Sequence, residues 1–336
     1  MKEKYNENKN DMSNLNVRYL GLNLKSPVIA GSSSHTSTTA RIIEAEESGA
    51  GAVVLKSLFE EQINSVIAAS GQPVSYPEAD DYMAYYIKSN EVDSYLKLIS
   101  DTRKAVSIPV IPSINCISSG SWIEFATRIQ DAGADALEVN MFFLPTDSRK
   151  SAGEAEEEYL ELIEKLKTVI KIPVAIKIGF RFSNILNLVE KFHFRGVRGI
   201  VMFNRFYEPD IDIEKMTITT TAVLSAPEER RYVLRWIAMA SALGYDIDIS
   251  ASTGVRSGED AVRYILAGAK TVQVCSALYE KGISFIKTIN GQIVEWMNRK
   301  GLKSIDEFSG KLNYSSVEKP AIFERTQFMK YFSSHE

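Results

Sequence analysis

PVAIKI, from Pro173 to Ile178, is a short apolar run that closes on a lysine, Lys177. AVVLKS, from Ala52 to Ser57, closes the same way on Lys56. A third run, ISAS, leads into Thr253-Gly254-Val255-Arg256, and a fourth, KTVQV, ends at Cys275-Ser276. Unbroken apolar runs of this length suit strands buried on both faces, as in a parallel sheet. In a parallel barrel all four strand ends open onto one face, where such enzymes place their chemistry. Two cations and two small-residue turns on that face suit an anionic cofactor or substrate.

Working outward, strand-like and helix-like segments alternate along the chain. The expected strands are Pro27–Gly31, Ala52–Leu55, Pro109–Ile114, Ala136–Val139, Pro173–Ile178, Gly199–Phe203, Ile247–Ala251 and Lys270–Val274. Helices are expected over Thr38–Ser48, Glu91–Val106, Trp122–Ala132, Asn184–Phe192 and Gly258–Leu266. Ser151 and Glu154 have the spacing of a capping box before a long helix, and Ser225 and Glu228 repeat it before a helix to Leu243. Eight strands alternating with helices predict an α/β protein, a (β/α)8 TIM barrel. VRYLGLNLKSP predicts an N-terminal hairpin capping one end, and Tyr207–Leu224 has room for a second small hairpin. Residues 58–90, with Tyr76, Tyr82, Tyr85 and Tyr86, read as an irregular insertion or lid. A doubly wound open sheet is the alternative, but no G-x-G-x-x-G follows the first strand.

The chain has 336 residues, enough for one barrel of about 250 residues with insertions. Residues 1–13 are expected to be a disordered leader. Residues 14–336 are expected to form one barrel domain with a C-terminal extension that packs back on it. A net charge of −4 argues against a nucleic-acid partner. No apolar run approaches the length of a membrane span. Cys116 and Cys275 are the only cysteines, and just three histidines are present, so no disulfide framework, zinc motif or other metal site is expected. A reducing cytoplasm is the expected setting.

Lys177 and Lys56 are the leading candidates for chemistry, because a partly buried lysine can pair with an anion, form a Schiff base or stabilise an electron-rich ring. Ser57 adds a hydroxyl beside Lys56. Ser252-Thr253-Gly254 and Cys275-Ser276 follow the seventh and eighth strands, where barrels commonly hold a phosphate. Asn115, Asn140 and Asn204 each follow a strand end, and an amide both donates and accepts. Each also has a plain reading as a turn residue. His35 in SSSHTST is read as a solvated loop histidine, and Cys116 as a small buried apolar residue.

Together these motifs resemble the dihydroorotate dehydrogenase family of flavin mononucleotide (FMN) barrels. The resemblance spans roughly residues 15–313. It rests on VRYLGLNLKSPVIAG, LKS at Leu55–Ser57, EVN at Glu138–Asn140, AIK at Ala175–Lys177, STGVRSGEDA at Ser252–Ala261 and GAKTVQVCSALYEKG at Gly268–Gly282. SLFEEQI and the tail PAIFERTQFMK look like a distinct branch of it. The resemblance implies that Ala30 and Gly31 lie against the isoalloxazine ring. Lys56 and Ser57 would sit between flavin and substrate, and Asn140 would face both. Lys177 would contact the N1–C2 carbonyl side, and Thr253-Gly254 with Cys275-Ser276 would hold the phosphate. The family's proton-abstracting cysteine or serine corresponds to Phe143 here, so Thr146, Asp147 or Ser148 would have to replace it. The asparagine-rich substrate segment of the family is absent, and Thr253 and Cys275 stand where glycine is usual.

The expected function is therefore FMN-dependent oxidation of a CH–CH bond in a small carboxylate or pyrimidine-like substrate, such as dihydroorotate to orotate in pyrimidine biosynthesis. The expected assembly is a homodimer. The sequence does not identify the electron acceptor, and NAD use through an iron–sulfur centre would need a partner chain. A sugar-phosphate aldolase or isomerase, and a non-catalytic flavin-holding subunit of a redox complex, are the alternatives.

Overall fold

The computed structural model describes residues 14–60, 77–115, 119–141, 144–205, 208–220 and 222–325. Residues 1–13, expected as a leader, the centre of the tyrosine-rich segment, Cys116, Phe143, Tyr207 and residues 326–336 lie outside the described residues.

The predicted strands form one parallel sheet with helices between them. In chain order its strands are β3 (Val28–Ala30), β4 (Ala52–Val54), β5 (Leu58–Phe59), β6 (Val110–Ile111), β7 (Ser113–Asn115), β8 (Leu137–Asn140), β9 (Val174–Ile178), β10 (Gly199–Met202), β13 (Asp248–Ala251) and β14 (Thr271–Val274). Hydrogen bonding runs β5-β7-β8-β9-β10-β13-β14-β3-β4-β6. Its two ends meet because β6 and β7 are one stave interrupted by Pro112, which has no N–H to give the ladder. Below that proline the stave pairs with β4, and above it with β5 and β8. The Glu138 N–H donates to Pro112 O at 2.9 Å across the join. The closed sheet is a (β/α)8 barrel.

The N-terminal hairpin, β1 (Val17–Tyr19) and β2 (Leu22–Leu24), is antiparallel as expected. Tyr19, Leu20 and Leu24 are buried, and the Leu20 N–H donates to Asp248 Oδ2 at 2.7 Å. Asp248 opens β13, so the hairpin covers the end of the barrel opposite the strand C-termini. The second hairpin, β11 (Pro209–Asp212) with β12 (Thr217–Thr220), also forms. The tail returns to the barrel wall: Gly310 and Leu312 N–H groups donate to Ile265 O and Leu266 O, and Ile305 and Phe308 are buried.

Two expectations need correction. The stretch read as irregular up to residue 90 is helical from Pro77, in one helix Pro77–Ala105. Proline at the first helical position, followed by acidic residues, is a helix-start signal. The second predicted capping box does not form at Ser225. The cap bond comes one residue later, where the Ala226 N–H donates to Glu229 Oε1 at 3.0 Å, and the helix runs Arg230–Ala240. Ser225 is thereby released for another role. The box at Ser151 and Glu154 does form, starting the helix Ala152–Val169.

Candidate active site

Asn140 and Lys177 are register partners on neighbouring strands, and Lys177 also pairs with Val201 of β10. Alternation along β8 puts Glu138 on the same face as Asn140. On that face the side chains meet across the barrel interior. Lys177, only 7% exposed, donates from Nζ to Gln273 Oε1 at 3.3 Å. Gln273 Nε2 donates to Glu138 Oε2 at 2.5 Å, and Glu138 Oε1 lies 3.8 Å from Lys177 Nζ. Asn140 Oδ1 accepts from Asn204 Nδ2 at 2.9 Å, so those two asparagines form a pair at the mouth.

The rim beside the first two staves is built from small residues. Ala30 is buried, and the Gly31 N–H donates to Val274 O at 3.0 Å. A Cβ at Gly31 would stand 2.5 Å from Cys275 Sγ, so any larger residue here would require the thiol to move. Ser57 is buried, its hydroxyl 3.1 Å from that of Ser32 and 2.7 Å from that of Ser113. Lys56 differs: it lies beyond the β4 ladder, exposed, and its backbone N–H donates to Thr36 O. Asn115 is half-buried at the end of β7.

Thr253 and Gly254 follow β13 with φ of +74° and +73°, a left-handed pair that turns the backbone sharply. Thr253 tolerates this because Oγ1 donates to Phe203 O at 3.0 Å and its carbonyl accepts from Tyr264 Oη at 2.7 Å. The Gly254 N–H donates weakly to Ser225 Oγ at 3.3 Å, and Ser225 Oγ and N–H both donate to Ser276 Oγ at 3.0 Å. Arg256 reaches the Ser225 carbonyl at 3.4 Å and pairs with Glu280. The structure therefore brings Gly254, Cys275 and Ser276 together as expected, and adds Ser225.

Thr146 and Ser148 sit on an exposed loop after β8, and no hydrogen bond joins them to the site among the described residues. The Asp147 carboxylate is engaged by the Arg149 guanidinium, which holds it below the usual carboxylate range. His35 is not simply solvated. Its ring packs 4.8 Å from that of Tyr279, and burial, with the Arg41 charge, lowers its pKa. Burial pushes the Cys275 thiol up, Lys177 draws it down and Glu138 raises it, so this thiol feels both inner charges.

Glu138, Gln273 and Ser225 were not among the predicted site residues. A lone Glu or Gln inside an otherwise apolar strand, two positions from a predicted site residue, was the available signal for the first two.

The donor set suits a nucleotide-like anion. An ammonium has three donors. Among the described residues Lys177 Nζ has one acceptor at hydrogen-bond distance, leaving buried donors that a carbonyl or anionic ring edge would satisfy. The Gly254 N–H, the Ser225 and Ser276 hydroxyls and Arg256 form a second donor group, suited to a phosphate monoester.

Comparison with known proteins places the chain in one family. Residues 14–297 match the family described as Dihydroorotate dehydrogenase. A Thermoplasma acidophilum protein named dihydroorotate dehydrogenase B (NAD(+)), catalytic subunit, is 26% identical over 310 residues, covering 89% of this chain and 99% of its own. A Pyrococcus horikoshii protein of the same name is 26% identical over 301 residues, 88% of this chain and 97% of its own. Saccharomyces mikatae dihydroorotate dehydrogenase (fumarate) is 24% identical over 322 residues, 90% of this chain and 99% of its own. With the family match covering most of its length, this chain belongs to the dihydroorotate dehydrogenase family.

Proposed function

We propose that this chain is an FMN-dependent oxidoreductase that oxidises a CH–CH bond of dihydroorotate or a similar small carboxylate. It would act in the cytoplasm, as a homodimer, through one barrel domain over residues 14–336. The observation that carries the proposal is Lys177: a buried ammonium with donors left unfilled among the described residues, on the barrel's inner face beside Asn140. Dihydroorotate dehydrogenases are generally flavin-dependent.

Bound FMN would supply the two-electron acceptor for the substrate's hydride. Lys177 stabilises negative charge at the ring edge, as preorganised charge in a water-poor site does. Ala30 and Gly31 form the flat wall that lets a ring approach the backbone. Gly254, Thr253, Ser225, Cys275 and Ser276 hold the phosphate. Asn140, fixed by Asn204, and Asn115 orient the substrate and ring by donating and accepting. Exposed Lys56 reaches the substrate carboxylate, with Ser57 beside it. Thr146 and Ser148, on the loop after β8, are the candidates to take the proton from the neighbouring carbon. Arg205 and Glu229 bond each other beside this rim and brace the turn that carries Ser225.

Titrating flavin-free protein with FMN, followed by quenching of flavin fluorescence, tests the proposal. Saturation at one FMN per chain is expected, with much weaker uptake by Lys177→Ala. Absence of uptake by the wild-type chain would contradict it. Parallel assays with fumarate and NAD(+) as acceptors then assign the oxidising half-reaction.

A further inference from the structure

We propose that Glu138 and Gln273 are positioning residues for Lys177, and that together they set how much positive charge the barrel presents to a bound flavin. This rests on the proposal that FMN occupies the barrel mouth.

Polar side chains from three strands meet on the inner face: Glu138 from β8, Lys177 from β9 and Gln273 from β14. All three are nearly inaccessible, at 1%, 7% and 2% exposure. Their neighbours along the strands, Leu137, Val139, Ile176, Ile178, Val272 and Val274, are fully buried apolar residues. A buried ion pair in such a setting adds little stability over a well-packed apolar replacement. Stability alone therefore does not account for the trio.

The geometry divides the work. Gln273 Oε1 is the hydrogen-bond acceptor for Lys177 Nζ, at 3.3 Å, and so fixes where the ammonium points. Glu138 Oε1, at 3.8 Å, lies outside hydrogen-bond distance and acts as a counter-charge. The Gln273 amide joins the two, accepting from the lysine and donating to the carboxylate at 2.5 Å. Beneath them the Tyr19 hydroxyl is fully buried, its pKa raised well above the ordinary value by burial and then by the Glu138 and Asp248 charges. That ring belongs to the hairpin at the end of the barrel opposite the strand C-termini, so a flavin at the mouth would meet the Lys177 charge from the other side. Removing the carboxylate raises the positive field there; adding a second carboxylate lowers it.

The test is the midpoint potential of the FMN-loaded protein in wild type, Glu138→Gln, Gln273→Glu and the double exchange carrying both changes. Glu138→Gln is expected to favour reduced over oxidised flavin by about tenfold, or about 30 mV for a two-electron couple. Gln273→Glu is expected to shift it by a similar factor in the opposite direction. The double exchange, which moves the carboxylate from β8 to β14 at constant charge, is expected to return near the wild-type value. It also reads the effect if Gln273→Glu alone does not fold. A merely structural role would move both single variants the same way or change FMN uptake at constant potential; either result, or unchanged potentials, overturns the assignment. A wild-type chain that takes up no FMN overturns the flavin proposal as well, so the two failures are distinct.

Discussion

Lys177 is the fourth of five residues in β9, 7% exposed, with its ammonium held by Gln273 and balanced by Glu138. Lys56 follows an apolar run of the same kind, yet lies two residues past the end of β4 and is exposed. Both runs are short, buried and parallel, so neither composition nor strand type separates the two lysines. What separates them is the last ladder bond. A lysine inside the ladder has its Cβ direction fixed toward the interior and must find partners there. A lysine beyond the ladder keeps its rotamer freedom and its water. The first suits a fixed charge against a cofactor, the second an arm that meets a substrate from solvent.

The largest expected effect tests that contrast directly. Lys177→Met removes the counter-charge of a buried carboxylate and is expected to cost about 3–5 kcal/mol of stability. Lys56→Met, at an exposed site, is expected to stay within about 0.5 kcal/mol while raising KM for a carboxylate substrate. Urea unfolding of both variants gives the comparison, and equal losses would break it.

A second variant asks whether the rim is as tolerant at its turns as at Lys56. Gly254→Ala places a Cβ 2.9 Å from the Arg230 backbone nitrogen, at a φ of +73°. Strain and overpacking of this kind cost about 1–3 kcal/mol, and FMN affinity should fall with stability. Unaltered unfolding and uptake would show that the cradle is looser than its geometry.

Much of this was legible in the sequence. All eight staves are short apolar runs bounded by Pro, Gly or polar residues, and the β-strand period needs few residues to show itself. The candidate residues at strand ends followed from the barrel. Glu138 and Gln273 were hidden because an inward polar residue between apolar neighbours leaves a strand looking apolar; only the closed barrel shows that β8, β9 and β14 aim at one point. Ser225 was hidden by its resemblance to a helix cap, a role that went to Glu229 acting on Ala226. The helix from Pro77 was missed because PEADDYMAYYIKS carries no clean apolar stripe, although its proline and acidic start were available.

Cys275 provides a finer probe of the two lysines. Burial pushes its thiol above the ordinary range, and the Lys177 charge draws it partly back. Its alkylation should therefore accelerate only at high pH. Lys177→Met should raise the thiol further and slow the reaction at a given pH, while Lys56→Met should leave the profile unchanged. Matching shifts from both variants would mean that Lys56 also reaches the interior. The smallest effect is expected at the exposed loop: Thr146→Ala and Ser148→Ala should leave stability within about 0.5 kcal/mol. A loss of turnover confined to one of them would identify the hydroxyl that takes the substrate proton.

The most direct measurement is anaerobic mixing of FMN-loaded protein with dihydroorotate while flavin absorbance is recorded. Bleaching matched by formation of orotate is predicted. An absorbance that stays constant, in protein that has taken up FMN stoichiometrically, would contradict dihydroorotate oxidation at this barrel mouth.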